Sequence, residues 1–520
     1  MADEIKNGQE REEVHRAIWA IADELRGAVD GWDFKNYVLG AMFYRYISET
    51  LTDYINAIEA ETGNPDFDYT KTSDEYAEIA RKDMVDEKGY FILPSELFCN
   101  VRSAAHSDNN LNETLERVFR NIESSAKGNE TEDKFAGLFA DFDVNSNKLG
   151  SDVIKRNERL RKILDGVADM QLGSVKEHNI DALGDAYEYL MAMYASNAGK
   201  SGGEFFTPSD VSELLARLGT AGKSSIQRIY DPACGSGSLL LKVLKIPGIH
   251  VSKIYGQEIN VTTFNLCRMN MFLHGIPFDE FSIACDDTLI KPHYLDKKPF
   301  DLIVSNPPYS IKWVGDDSSI LINDPRYSPA GVLAPKNKAD FAFVLHSLSW
   351  LSPDGTAAIV CFPGIMYRGG AEQKIRQYLV DNNFVDCVIA LPENLFFGVG
   401  IATSILVMKK NRTDSRILFI DASEEYVKAT NNNRLSPENI GRIMDVFMNR
   451  RDEEHFCRLV ECEEVARGGY NLSVGTYVEL QDGREVVDIV KLNAEIREIV
   501  AREEELRREI DAIVEEIEAA

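Results

Sequence analysis

QRIYDPACGSGSLLL, residues 227–241, reads as a strand that ends in an acidic residue, turns on glycine and leaves as a helix. Ile229 and Tyr230 are strand formers, Asp231-Pro232 closes the strand, and Ser238-Leu239-Leu240-Leu241 opens an apolar helical run. Gly235 and Gly237 supply positions where the backbone can turn sharply and a ligand can approach the main chain. Around this stretch, β-branched or aromatic runs at Lys253–Gln257, Asp301–Ser305, Thr356–Phe362, Phe384–Leu391, Thr403–Met408 and Arg416–Ile420 alternate with helical patterns such as Ser238–Leu244 and Gln373–Asn382. The alternation predicts an α/β fold with a doubly wound, mostly parallel sheet, Rossmann-like in its layout. In such sheets ligands bind beyond the C-terminal ends of the strands, so the residues just after each strand are the functional candidates.

The flanks have a different period. Ile18, Ala22, Leu25 and Val29 recur at helical spacing, as do the apolar positions of Tyr37–Ile47, Leu111–Ile122 and Ile154–Val167. Glu59–Tyr76, with Gly63, Asn64 and Pro65, reads as a loop between helices. Near the far end Ile489, Leu492, Ile496, Ile499, Leu506, Ile510, Ile513 and Ile517 follow alternating steps of three and four, with polar Glu503 in one seam position. So narrow a seam, flanked by Glu and Arg, favours pairing with another helix over the alternative of an amphipathic helix folded back on its own domain. Three parts are expected: a helical N-terminal domain (1–165), an α/β catalytic domain (166–425) and a C-terminal region (426–520) ending in a partner-docking helix at 485–520.

A chain of 520 residues exceeds the roughly 100–200 of one ordinary domain. Its 44% hydrophobic and 27% charged residues exclude a fibrous or wholly disordered protein. No apolar run is long enough for a membrane span, and MADEIKNGQEREEV has neither the basic nor the apolar part of a secretory signal, so the cytoplasm is the expected compartment. Lys plus Arg is 57 against 85 Asp plus Glu, a net charge of −28. Such a surface repels a polyanion, and a nucleic-acid substrate would need a partner to supply much of the grip. The eight cysteines form no CxxC pair, and His455, Cys457 and Cys462 match no common zinc spacing, so no metal is expected.

Glu258 ends the strand Lys253–Gln257, 21 residues after Gly237, where a carboxylate can accept hydrogen bonds from a ribose diol. An ordinary solvated strand end would look the same, but the glycine turn and the acid together favour nucleoside binding. A dinucleotide would call for a third glycine, and Leu240 stands there; no Walker lysine follows. A nucleoside without phosphates fits better, and S-adenosyl-L-methionine is the candidate.

Asn306-Pro307-Pro308-Tyr309 follows directly on Asp301–Ser305. An exocyclic amine is a poor nucleophile because its lone pair is delocalised into the ring. The Asn306 side-chain oxygen and the Pro307 carbonyl can accept its two N–H protons, drawing the nitrogen toward tetrahedral geometry, while the prolines fix φ and add no competing donor. Tyr309 offers a flat face for a base. Acceleration would come from orientation and preorganised dipoles. Asn-Pro also ends strands for purely structural reasons, but the four residues in this place carry more information than that.

With these motifs the chain resembles N6-adenine DNA methyltransferases, and most closely the modification (methyltransferase) subunit of type I restriction-modification systems. Gly203-Glu204-Phe205-Phe206-Thr207-Pro208 resembles the element that covers the cofactor in that family, preceded by Gly184-Asp185-Ala186-Tyr187-Glu188-Tyr189-Leu190. The order of the motifs is that of the γ class, and the resemblance extends over essentially the whole chain, Tyr470-Asn471-Leu472-Ser473 included. It implies an adenine-specific, site-specific DNA methyltransferase with catalytic residues Asn306, Pro307, Pro308 and Tyr309. Cofactor contacts are implied for Glu204, Phe205, Phe206, Thr207, Pro208, Ser209, Asp231, Gly235, Ser236, Gly237, Ser238, Glu258 and Asp287, with Asp286 the alternative to Asp287. Phe397 is implied as the aromatic that sandwiches a flipped base against Tyr309, with Phe396 the alternative; Ser238 departs from the family's usual glycine. Past Ile420 little chain remains for reading bases, so the implied partners are double-stranded DNA, a specificity subunit, a second modification subunit and a restriction subunit. Two other readings compete: methylation of another planar nitrogen, in RNA or on protein glutamine, and a catalytically dead scaffold. The F-F-T-P element and long helical flanks disfavour the first, and the intact motifs disfavour the second.

Overall fold

The computed structural model describes residues 15–21, 31–170, 189–190, 207–315, 318–396, 400–429, 432–479 and 489–518. Among them the strands are β1 (Ser225–Asp231), β2 (His250–Glu258), β3 (Phe281–Cys285), β4 (Phe300–Ser305), β5 (Leu351–Cys361), β6 (Val385–Ala390), β7 (Ser404–Lys409), β8 (Arg416–Asp421), β9 (Val427–Lys428), β10 (Asn433–Arg434) and β11 (Cys457–Glu461). Nine of them form one sheet in the order β11-β8-β6-β7-β5-β4-β1-β2-β3, and β9 and β10 form a small ladder. The pairs from β3 through β5 are parallel, as is β6 with β8, whereas β7 is antiparallel to both β5 and β6 and β11 antiparallel to β8. The expected α/β, mostly parallel sheet is therefore present.

Side-chain alternation places the sheet between two buried clusters. Ile229, Leu302, Val304, Ala358 and Val360 face one buried cluster, while Tyr230, Ile303, Ala357 and Ile359 face another. A strand buried on both faces reads as a near-continuous apolar run, as β4 and β7 do. The first cluster continues into the N-terminal helices. Helix Leu111–Ser125 buries Leu111, Leu115, Val118, Phe119 and Ile122, and helix Val153–Asp169 buries Leu160, Ile163, Leu164 and Val167, each one face at helical period. Helix Gly31–Glu61 packs with them and reaches the sheet layer where Phe43 meets Phe272 of helix Val261–Leu273, ring centroids 5.9 Å apart. Buried Arg268 on that helix donates to the carbonyls of Asp133 and Ala136 at 2.9 and 3.0 Å, tying the same layers with charge-assisted bonds.

Several expectations change in detail. Strands β3 and β11 are not among those expected, and because β11 joins the sheet, the sheet extends past the boundary expected at residue 425. Strand β5 begins at Leu351, five residues early, with Pro353 and Asp354 exposed beside a register shift against β4. In the N-terminal stretch Ile18 is buried, while Ala22, Leu25 and Val29 lie outside the described residues. The loop expected at Glu59–Tyr76 holds a 3-10 turn at Tyr69–Lys71 and the start of helix Asp74–Ala77.

Compactness divides the chain into Met1–Val478 and Glu479–Ala520. Within the second part, helix Ile489–Glu518 carries Ile496, Ile499, Leu506, Ile510, Ile513 and Ile517 exposed along its seam. Among the described residues no helix is long and apolar enough to cross a membrane.

Candidate active site

The carboxyl ends of β1, β2, β3 and β4 surround a cavity of about 320 Å³. Pro232 and Ala233 after β1, Glu258 to Asn260 after β2, Asp287 to Leu289 after β3, and Asn306, Pro308, Ile311 and Trp313 after β4 form its walls, with Phe343 behind. This is the crevice that a doubly wound sheet opens where adjacent crossovers leave on opposite sides.

The glycine turn is built as its residues demand. Gly235 has φ +55° and Gly237 φ +78°, the left-handed region that side chains disfavour. A Cβ on Gly237 would also lie 2.6 Å from Met271 Cε and 2.8 Å from Cys267 Sγ. Ser236 and Ser238 complete the turn, Ser238 opening helix Ser238–Leu244, and the Ser236 carbonyl accepts from Asn270 Nδ2 at 2.9 Å. Glu258 closes it from the next strand: one carboxylate oxygen accepts the Gly235 N–H at 3.0 Å, the other the Asn260 N–H at 2.9 Å. Burial raises the Glu258 pKa, and those N–H groups oppose the rise.

Asp231 lies beneath the turn, buried. Its Oδ1 accepts from the Ala233 N–H at 2.9 Å and from Ser305 Oγ at 2.7 Å, joining the end of β1 to the end of β4. Burial pushes its carboxyl up to about 7 against these two bonds. Of the two neighbouring acids after β3, Asp287 lines the cavity and caps the Leu289 N–H at 2.9 Å. Asp286 is engaged elsewhere: hydrogen bonds from His293 at 3.0 Å and from Lys291 hold its carboxyl at about 2.

The loop after β4 is held at both ends. Asn306 Nδ2 donates to Thr207 Oγ1 at 3.1 Å, and Asn306 Oδ1 accepts the Tyr309 hydroxyl at 2.6 Å. Burial keeps that phenol well above its ordinary pKa, so it remains a donor. Pro307 is buried and Pro308 faces the cavity. Ser310, at φ +50°, is pinned by both oxygens of Asp340, each 3.1 Å from its N–H, at the start of helix Asp340–Trp350. Phe396 packs edge-on against Tyr309, centroids 6.3 Å apart and planes at 87°, and is itself buried. It therefore presents no open face opposite Tyr309. Phe397, Glu204, Phe205 and Phe206 lie outside the described residues. Pro208 and Ser209 start helix Ser209–Thr220, where Ser209 Oγ accepts from Lys242 Nζ at 3.0 Å.

The structure thus lines one crevice with Glu258, Asp287, Asn306 and Pro308, ties Gly235, Thr207 and Tyr309 to them by hydrogen bonds, and buries Asp231 beneath, bonded to Ala233 of the wall. Sequence reasoning missed Ile259, Asn260, Thr288, Leu289, Ile311, Trp313, Phe343 and Asp340. Position was the available signal for most, since all but Phe343 and Asp340 fall just after a strand. Two carboxylates, Glu258 and Asp287, and one cation, Lys312, set among mostly apolar walls suit a nucleoside.

Comparison with known proteins agrees in kind. A family model described as N-6 DNA Methylase matches residues 178–486, and one described as HsdM N-terminal domain matches residues 14–167. The chain is 50% identical to the type I restriction enzyme MpnII methylase subunit of Mycoplasma pneumoniae, over 99% of this chain and 98% of that one. A crystal structure of a type I restriction-modification methyltransferase subunit from Streptococcus thermophilus superposes with a TM-score of 0.81 at 35% identity, covering 90% of this chain and all of that one. A chain from a structural study of complex assembly in a type I restriction-modification system shares the fold, with TM-score 0.62 at 20% identity over 96% and 99% of the two chains.

Proposed function

Since the chain belongs to the N-6 DNA methylase family, among the methylase subunits of type I restriction enzymes, we propose that it methylates N6 of an adenine flipped out of duplex DNA. The methyl donor is S-adenosylmethionine. The site is chosen by a separate specificity subunit, and the modification protects host DNA in the cytoplasm from the system's restriction subunit. The observation that carries this reading is the position of Asn306: it lines the same cavity as Glu258 and Asp287, with its amide held by Thr207 and Tyr309. A donor held there would have its reactive end toward Asn306.

The residues divide the work. Glu258 would take the ribose diol and Asp287 the adenine of the cofactor, and the turn at Gly235–Ser238 and the residues Glu204 through Ser209 would supply its remaining contacts. The bound cofactor supplies an electrophilic methyl on a sulfonium. Asn306 Oδ1 and the Pro307 carbonyl accept the two N–H bonds of the target amine, localising its lone pair. With its lone pair so localised, the amine would take the methyl, the sulfur keeping the electron pair of the broken carbon–sulfur bond, and would give up one N–H proton to solvent. Thr207 fixes the Asn306 amide so that its oxygen faces the target, and Tyr309 stacks on the base with Phe397 opposite. Extrusion costs a few kcal/mol of unstacking, which such a sandwich partly offsets.

Partners complete the enzyme. A net charge of −28 leaves DNA affinity to another subunit, and helix Ile489–Glu518 offers its exposed seam to helices of the specificity subunit, with two modification subunits in the assembly. The test is transfer of labelled methyl from S-adenosylmethionine to unmethylated DNA, with the chain alone and with its co-encoded specificity partner. N6-methyladenine only with the partner is expected. Label on RNA or protein, and none on adenine, would overturn the substrate.

A further inference from the structure

A buried arginine outside every motif organises the cavity wall after β3. Arg326, on the segment between the Asn306 loop and helix Asp340–Trp350, keeps only 4% of its side chain exposed. A guanidinium has five N–H donors and no acceptor, and all five of Arg326 are used. Nε donates to Asp324 at 3.0 Å. One terminal nitrogen donates to the Thr288 carbonyl at 2.8 Å and to His346 Nδ1 at 3.2 Å. The other donates to the Leu289 carbonyl and to Asp324, both at 2.8 Å. Tyr327 adds its hydroxyl to the same Leu289 carbonyl at 3.1 Å and packs edge-on against Trp313, a wall of the cavity. Thr288 Oγ1 in turn donates to the Pro232 carbonyl at 2.6 Å, fastening this turn to the loop after β1.

The contact with His346 settles that residue's tautomer. Arginine can only donate, so Nδ1 must be the bare nitrogen, and the Nε2 hydrogen then points to the Tyr230 hydroxyl 3.1 Å away. Tyr230 is the residue before Asp231, so the network runs from the turn after β3 to the base of the glycine loop.

We propose that Arg326 is a positioning residue for the cofactor: by holding the carbonyls of Thr288 and Leu289 it sets the wall that receives the adenine end of S-adenosylmethionine. Its role is in affinity and not in the transfer step. The inference rests on assigning this cavity to S-adenosylmethionine.

Two variants of the full chain test it, Arg326→Lys, which keeps the charge but has at most three donors, and Tyr327→Phe, which loses one hydroxyl. Calorimetric titration with S-adenosylmethionine and with adenosine reads the adenine end directly. Arg326→Lys is expected to weaken both ligands by about tenfold, two lost hydrogen bonds' worth, and Tyr327→Phe by a few-fold. In the assembled complex KM for S-adenosylmethionine should rise by the same factor while kcat falls less than twofold or so, a split that general destabilisation does not produce. Unchanged affinity in a folded Arg326→Lys chain overturns the proposal, as does weakening of S-adenosylmethionine without adenosine. Should Arg326→Lys not fold, unchanged affinity in Tyr327→Phe overturns it. If the unaltered chain binds neither ligand, the assignment of the cavity fails and takes the proposal with it.

Discussion

Asn306 shows how much one side chain is asked to do. Its amide gives a hydrogen to Thr207 and takes one from Tyr309, so both ends of the group are oriented before a base arrives. A carbonyl oxygen has two lone pairs, which leaves one for the target amine. Tyr309 contributes a ring and a hydroxyl that can be separated. Tyr309→Ala removes both and should raise KM for DNA by the stacking contribution, about 1–3 kcal/mol, whereas Tyr309→Phe should cost much less; equal losses would contradict the stacking role. Asp231 is a second residue with a measurable signature. Its folded-state carboxyl stands near 7, above the ordinary range of about 4, so the proton it retains contributes stability at low pH that is lost as pH rises through 7. Asp231→Asn, which cannot ionise, should flatten the fall in urea midpoint between pH 4 and 7. An unchanged profile would mean that the group is not buried as described.

At the scale of elements, the loop after β4 is positioned by a helix some thirty residues downstream. Asp340, first residue of that helix, holds the Ser310 N–H with both oxygens in a backbone conformation that serine seldom adopts. Asp340→Ala should release the loop and lower kcat by about tenfold to a hundredfold with cofactor affinity kept, since small misplacements of a reacting group are costly; single-turnover transfer measures it. Such elements also show what is legible in the sequence. Seven strands are readable because each carries a β-branched or aromatic run, nearly continuous in β4 and β7 where both faces are buried, and Asn306–Tyr309 is readable because its chemistry-bearing residues are contiguous. Strands β3 and β11 are not. Each has five residues and lies at an edge, and β11 exposes Arg458 and Glu461 and only half buries Leu459. Asp340 and Arg326 carry no local pattern at all: each acts on a loop distant in sequence, and only the fold brings them there. Asp286 and Asp287 are interchangeable in the sequence, and only the fold shows Lys291 and His293 occupying the first.

For the whole molecule, the division at Val478 and the net charge lead to one expectation. A chain ending at Val478 keeps both buried clusters and the sheet, so it should fold and bind S-adenosylmethionine yet fail to assemble with the specificity subunit, as size-exclusion chromatography of the mixture would show. A truncated chain that still assembles would remove the docking role from helix Ile489–Glu518. The central claim is that the methyl is transferred at Asn306. The measurement that tests it most directly is single-turnover transfer of labelled methyl to adenine by the assembled complex, comparing the unaltered chain with Asn306→Ala, with S-adenosylmethionine binding measured on the same samples. Loss of transfer with binding retained is the expected result. Transfer near the original rate from Asn306→Ala would contradict it.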